Sequence, residues 1–162
     1  MKILIFGLPG SGKTSLAKPF AELINGVHIN ADIIRTSYND WDFSLEGRIR
    51  QANRMKYLAD GVVMAGKVAV ADFICPTEEL RQHFNPDFTV WMDTIETGRF
   101  EDTNAMFEAP DTNWAGVDYH VSKWFDDTHI QLAPIVERFM KKKSTTTVGY
   151  SVWRLEQEEN NV

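Results

Sequence analysis

Apolar positions along the chain fall into two alternating periods. Lys2-Ile3-Leu4-Ile5-Phe6, Val68-Ala69-Val70-Ala71-Asp72-Phe73-Ile74 and Phe88-Thr89-Val90-Trp91-Met92-Asp93 are continuous runs, as in strands buried on both faces. Val27-His28-Ile29-Asn30 and Tyr119-His120-Val121-Ser122 read as shorter strands. Helical spacing fills the intervals. Residues 13–24 form a first helix, with Pro19 expected to kink it or disturb its first turn, and Asn25-Gly26 ends it. A short helix opens at Ala31. Ser44 caps a long one over 45–64, whose apolar stripe is Ile49, Ala52, Ala59 and Val63 with Met55, Leu58 and Val62 beside it. Thr77 begins another, through about 84. A last helix follows Asp126-Asp127, with Leu132, Ile135, Val136, Phe139 and Met140 on one face and Lys141-Lys142-Lys143 at its end. Residues 94–116 lack a period and read as a lid or long loop with one short helix. Residues 146–155 are expected to add an edge strand, followed by a frayed acidic tail.

Strands alternating with helices predict a three-layer α/β/α sandwich on a mostly parallel sheet. Its ligands are expected at the C-terminal ends of the strands. The 162 residues, 43% of them hydrophobic, suffice for one domain over 1–162 with its own core. No repeat or linker divides them. A net charge of −6 argues against a nucleic-acid partner. No apolar run reaches the ~20 residues of a membrane helix. The chain opens on its first strand rather than a signal peptide, and its one cysteine, Cys75, suits a reducing compartment. The expected location is therefore the cytoplasm.

Between the first strand and first helix stands Gly7-Leu8-Pro9-Gly10-Ser11-Gly12-Lys13-Thr14, followed by Ser15. Strand, G-x-x-x-x-G-K-[ST] and helix N-terminus make a phosphate-binding loop. Its backbone N–H groups form an anion nest to which the helix dipole adds positive potential. The pattern implies ATP bound with Mg²⁺, Lys13 on the β- and γ-phosphates and the Thr14 hydroxyl on the metal. Asp72, ending its strand beside the loop, is a second candidate for the metal.

Phosphoryl transfer to an alcohol needs a carboxylate that orients the hydroxyl and takes its proton. Asp32 follows the second strand and faces the phosphate site, although an aspartate there also suits a helix start. Arg35 lies on the same face three residues on. Residues 43–54 then group Arg48, Arg50 and Arg54 with Gln51 around Phe43. Arginine suits bidentate recognition of phosphate or sulfate, whereas composition alone would allow a solvated helix.

With these pieces in order, the first half of the sequence resembles the adenylylsulfate kinase (APS kinase) family, whose members phosphorylate the 3′-hydroxyl of adenosine 5′-phosphosulfate. The loop resembles the family's Gly-Leu-x-Gly-x-Gly-Lys-Thr. Asn30-Ala31-Asp32-Ile33-Ile34-Arg35 resembles its Asp-Gly-Asp-Asn-x-Arg. Phe43-Ser44-x-x-Gly47-Arg48 with Gln51 and Arg54 resembles its Phe-Ser-x-x-Asp-Arg-x-x-Asn-x-x-Arg. Phe73-Ile74-Cys75-Pro76 resembles its Phe-Ile-Ser-Pro. The resemblance implies a P-loop kinase fold and a small anionic nucleotide acceptor. Phe43 would stack on the acceptor adenine, and Arg35, Arg48 and Gln51 would bind its nucleoside and sulfate-phosphate. Phe73 and the backbone around Ile74 would also touch it, and Asp32 would be the base. The family also implies a homodimer as one assembly.

The departures are specific. Asn30 and Ala31 replace the Asp and Gly that open the second motif. The family's Arg-Asp-Pro-Lys-Gly-Leu-Tyr lid becomes Glu101-Asp102-Thr103-Asn104-Ala105-Met106-Phe107, and its lysine-bearing segment is missing. Arg99 is the one Lys or Arg across 94–120 and is left as the lid's catalytic cation. Two other readings stay open: a kinase with another acceptor, since Asn30-x-Asp32-x-x-Arg35 also resembles polynucleotide 5′-kinases, and a non-catalytic nucleotide-binding protein.

Overall fold

The central strand β1, Lys2–Gly7, is buried along its whole length, as its unbroken apolar run requires. A computed structural model describes residues 1–111 and 116–159, and of 145–159 the backbone alone. Strand β2 (Val27–Asn30), β3 (Ala69–Asp72), β4 (Phe88–Met92) and β5 (Tyr119–Val121) complete one sheet in the order β2-β3-β1-β4-β5. Every pairing is parallel. Helix α1 (Lys13–Leu23) follows β1 directly, α2 (Ala31–Tyr38) follows β2, and α3 (Leu45–Met64) leads into β3. Helix α4 (Glu78–Phe84), α5 (Glu101–Met106) and α6 (Thr128–Glu159) follow β3, β4 and β5 in turn.

Alternate residues of β1 feed two cores. Ile3 and Ile5 pack with Leu16 and Phe20 of α1 and Leu132 and Val136 of α6. Leu4 and Phe6 face the other way, toward Met55 and Ala59 of α3 and Leu80 and Phe84 of α4. Each such Ile, Leu or Phe contributes about 1.5–3 kcal/mol by leaving water. Two-sided burial makes this the expected three-layer sandwich, with a sheet that is wholly parallel. Among the described residues, no helix is long and apolar enough to cross a membrane.

Helix α1 runs through Pro19 to Leu23 with Phe20 buried. Two local expectations are revised. Ile49 leaves the expected stripe and is exposed, because the inner face of α3 is polar in its first half, Arg48 and Gln51, and apolar only from Ala52 on. The expected edge strand over 146–155 is absent: α6 runs on through that stretch to Glu159. Extending an existing helix adds a backbone bond per residue fixed, which outweighs the small helix penalty of Thr and Val. The expected tail beyond 159, and residues 112–115 of the expected lid, lie outside the described residues.

Candidate active site

The phosphate-binding loop is built by close approach. A Cβ on Gly7 would lie 2.4 Å from the Met92 carbonyl oxygen of β4, so only glycine lets the chain leave the sheet there. Gly12, at φ 95°, places α1 with its open N-terminus toward the cleft. The Ser11 N–H donates to Leu8 O at 3.1 Å, and the Thr94 hydroxyl donates to Ser11 O at 2.7 Å. Among the described residues the Ser11 hydroxyl is buried without a hydrogen-bond partner, beneath the loop beside Gly7. Gly7, Leu8 and Ser11 lie beneath the loop's surface, whereas Pro9, Gly10, Gly12, Lys13, Thr14 and Ser15 line the cleft.

The Lys13 ammonium donates to Leu8 O at 3.0 Å. Burial pushes it down to about 8, against the opposing pull of Asp72 and Asp32. A triphosphate would favour the charged form. ATP binding is therefore expected to take up a proton near pH 8, and affinity to fall as pH rises through that value. Calorimetry in two buffers of different ionisation enthalpy measures the uptake; proton-neutral binding at pH 8 would remove Lys13 from the phosphate contact.

Beside the lysine, Asp72 lies almost wholly buried at the end of β3. The Thr14 hydroxyl donates to Asp72 Oδ1 at 3.2 Å. Asn30 Nδ2 donates to Thr14 Oγ1 at 3.1 Å and to Asp72 Oδ1 and Oδ2 at 3.3 and 3.2 Å. His28 Nε2 also contacts Asp72 Oδ2. A hydroxyl and a carboxylate beside a phosphate nest fit Mg²⁺, which favours oxygen ligands and substrate phosphates.

Asp32 stands in the first turn of α2, which Asn30 caps by accepting the Ile33 N–H at 3.1 Å, and Arg35 stands in its last turn. Asp32 is exposed and lines the cleft. Arg35 is buried, donating to the carbonyls of Asp40 and Asp42 at 2.9 and 3.1 Å. Its guanidinium lies 4.4 Å from the centre of the Phe43 ring, and that of Arg48 lies 5.5 Å away. Arg48 is also buried, donating from Nε to Phe43 O at 2.9 Å and from NH2 to the Thr103 hydroxyl of α5 at 2.7 Å. Burial lowers the pKa of both guanidiniums, and a guanidinium so placed remains a cation. Gln51 donates to Ala31 O at 2.9 Å. Phe73 and Ile74 complete this wall, and exposed Arg99 reaches the cleft from the segment that follows β4. The cleft encloses about 380 Å³.

The arginines separate into two sets. Arg35 and Arg48 line the cleft, whereas Arg54 and Arg50 pair with Asp40 at 2.6 and 3.2 Å, and Arg50 also pairs with Asp42. Hydrogen bonds from Arg50 and Arg54 hold the Asp40 carboxyl well below the usual range. Helical spacing puts Arg48 and Gln51 on one face and Arg50 and Arg54 on another, as found, but does not give the pairing of the second set with Asp40. It also missed Thr103 on Arg48 and His28 on Asp72, contacts between residues 55 and 44 positions apart. Trp124 went unnoticed too; its ring would lie 3.5 Å from a Cβ on Gly12.

The family model described as adenylylsulphate kinase matches residues 1–100. A probable adenylyl-sulfate kinase of Aeropyrum pernix is 27% identical over 85 residues, which make up 49% of this chain and 46% of the relative. The chain thus matches about half the length of that curated relative. The structure of Mycobacterium tuberculosis APS kinase in complex with AMPPNP and APS is similar at a TM-score of 0.67, with 18% identity over 84% of this chain and 96% of that one. Shikimate kinase from Acinetobacter baumannii with shikimate gives 0.56, at 16% identity over 88% and 93%. These two likenesses are of fold: the five-stranded parallel sheet is that of P-loop kinases. With its model matched over the phosphate-binding loop, Asp32, the Phe43 region and β3, the chain belongs to the adenylylsulphate kinase family.

Proposed function

We propose that this chain is an ATP-dependent kinase that phosphorylates the 3′-hydroxyl of adenosine 5′-phosphosulfate, acting as one cytoplasmic domain with residues 94–116 as its lid. One observation supports the acceptor above others: two buried arginines, Arg35 and Arg48, flank the half-exposed Phe43 across the cleft from the phosphate-binding loop. A flat ring with two cations suits an aromatic base joined to an anion.

The acceptor hydroxyl oxygen attacks the γ-phosphorus, the bond from that phosphorus to the β,γ-bridging oxygen breaks, and ADP departs. Asp32 accepts the hydroxyl proton. Lys13 and the loop N–H groups hold the donor phosphates, and Arg99 offsets charge at the transferred group. Thr14 and Asp72 would hold Mg²⁺, which neutralises phosphate charge when bound.

A polynucleotide end fits the surface less well. The basic stretch over residues 48–56 is largely neutralised, with Arg50 and Arg54 on Asp40 and Lys56 on Asp60 at 3.3 Å. ADP release from Mg-ATP should be tested with adenylyl sulfate, nucleosides, nucleotides and 5′-hydroxyl oligonucleotides. Stimulation by adenylyl sulfate is expected; turnover of another acceptor without it would overturn the assignment, and ATP binding without any turnover would point to a non-catalytic protein.

Arg48→Ala should raise the acceptor KM by about 10–100-fold, as loss of a charge-assisted hydrogen bond of ~1.5–3 kcal/mol implies, with little change in the ATP KM. Equal rises in both would place Arg48 outside the acceptor site. Initial rates with each substrate varied in turn separate the two.

A further inference from the structure

Strand β2 is an edge of the sheet, and its last residue pairs in register with the last of β3: Asn30 lies against Asp72, and His28 against Val70. In a strand, residues two apart point to the same face, so His28 and Asn30 both flank the Asp72 carboxylate. The two contacts differ in what else fixes them. Asn30 spends its amide oxygen on the Ile33 N–H, which leaves Nδ2 for Asp72 and Thr14. Among the described residues His28 hydrogen-bonds Asp72 through Oδ2, whereas the Thr14 hydroxyl engages Oδ1. The imidazole is therefore placed to fix the carboxylate's rotation, turning Oδ1 toward Thr14 and the phosphate nest. The carboxylate is 3% exposed and the imidazole 19%, so water has little room to substitute for that contact.

We infer that His28 is a positioning residue of the phosphoryl-transfer centre, which together with Asn30 holds Asp72 in the orientation that serves the metal-nucleotide. This rests on the reading of Thr14 and Asp72 as the metal's protein contacts. Outer partners that orient a ligating group commonly change metal affinity by about 10–100-fold when removed. His28 itself touches neither substrate nor the transferred group.

The test is the factor by which Mn²⁺ tightens a non-hydrolysable ATP analogue, measured by titration with and without the metal. His28→Leu should reduce that factor about tenfold and leave metal-free analogue binding unchanged. His28→Gln, whose amide can donate to Oδ2, should recover most of it. Asp72→Asn is the reference and should reduce the factor at least as much. A normal Mn²⁺ factor in His28→Leu, with Asp72→Asn impaired, would overturn the role of His28 and leave the metal site standing. A normal factor in Asp72→Asn would overturn the metal site, and this inference with it. Two further results would also overturn the inference: His28→Gln behaving as His28→Leu, or metal-free binding falling as much as metal-dependent binding.

Discussion

Asp32→Asn is expected to lower the rate of phosphoryl transfer by about 10²–10⁴-fold while ATP still binds. The substitution keeps the shape of the side chain and removes its capacity to take a proton. It should also leave the fold intact, because the cap of α2 is made by Asn30 rather than by Asp32. Asp32 is exposed to the cleft, so its replacement leaves no cavity. Loss of its negative charge lifts a local repulsion from the donor phosphates, so ATP affinity should hold or rise slightly. Single-turnover ADP formation, beside ATP titrations monitored through tryptophan fluorescence, separates chemistry from binding. Turnover at the wild-type rate would remove Asp32 as the base.

Asn30→Asp should destabilise the protein by about 3 kcal/mol at neutral pH, the scale of an uncompensated buried charge. The family's second motif carries Asp at this position, yet here Asn30 donates to both oxygens of Asp72. A second carboxylate would replace those bonds with like-charge repulsion in a buried site. The α2 cap would survive, since either side chain offers an oxygen to Ile33. Adding Asp72→Asn should restore most of the loss, because the double variant again pairs one amide with one carboxylate. Urea denaturation of both single variants and the double gives the coupling directly. The sign with pH follows. Repulsion raises a folded-state carboxyl above its unfolded value of about 3.9, so the folded protein binds more protons in that window. The variant's deficit should therefore grow as pH rises from about 4. A deficit independent of pH, or one that Asp72→Asn leaves in place, would assign the loss to packing.

Local chemistry made much of this protein legible. The apolar run at 2–6, the glycines at 7, 10 and 12, and Ser44 before the long helix each act within a few residues, and their elements formed where the spacing predicts. Ser44 accepts the Gly47 N–H as a helix cap does. What escaped depends on contacts distant in sequence. Arg50 and Arg54 look as available as Arg48 until the chain turns at 39–42 and brings Asp40 against them. Ile49 fits a helical stripe, but the apolar part of the buried face of α3 begins at Ala52 and continues with Met55 and Ala59. The β-branched residues at 145–148 favour a strand locally, and continuation of α6 overrode that preference.

The position of β1 sets a problem of timing. Its partner strands are Ala69–Asp72 and Phe88–Met92, and Met92 lies 85 positions after Gly7. At ~5–20 residues per second of synthesis, the strand waits roughly 4–17 seconds before both neighbours exist. Ile3, Leu4, Ile5 and Phe6, wholly buried in the finished sheet, are exposed for that interval. The strand that later supports the phosphate-binding loop is thus the one that waits longest for its partners as the chain is made.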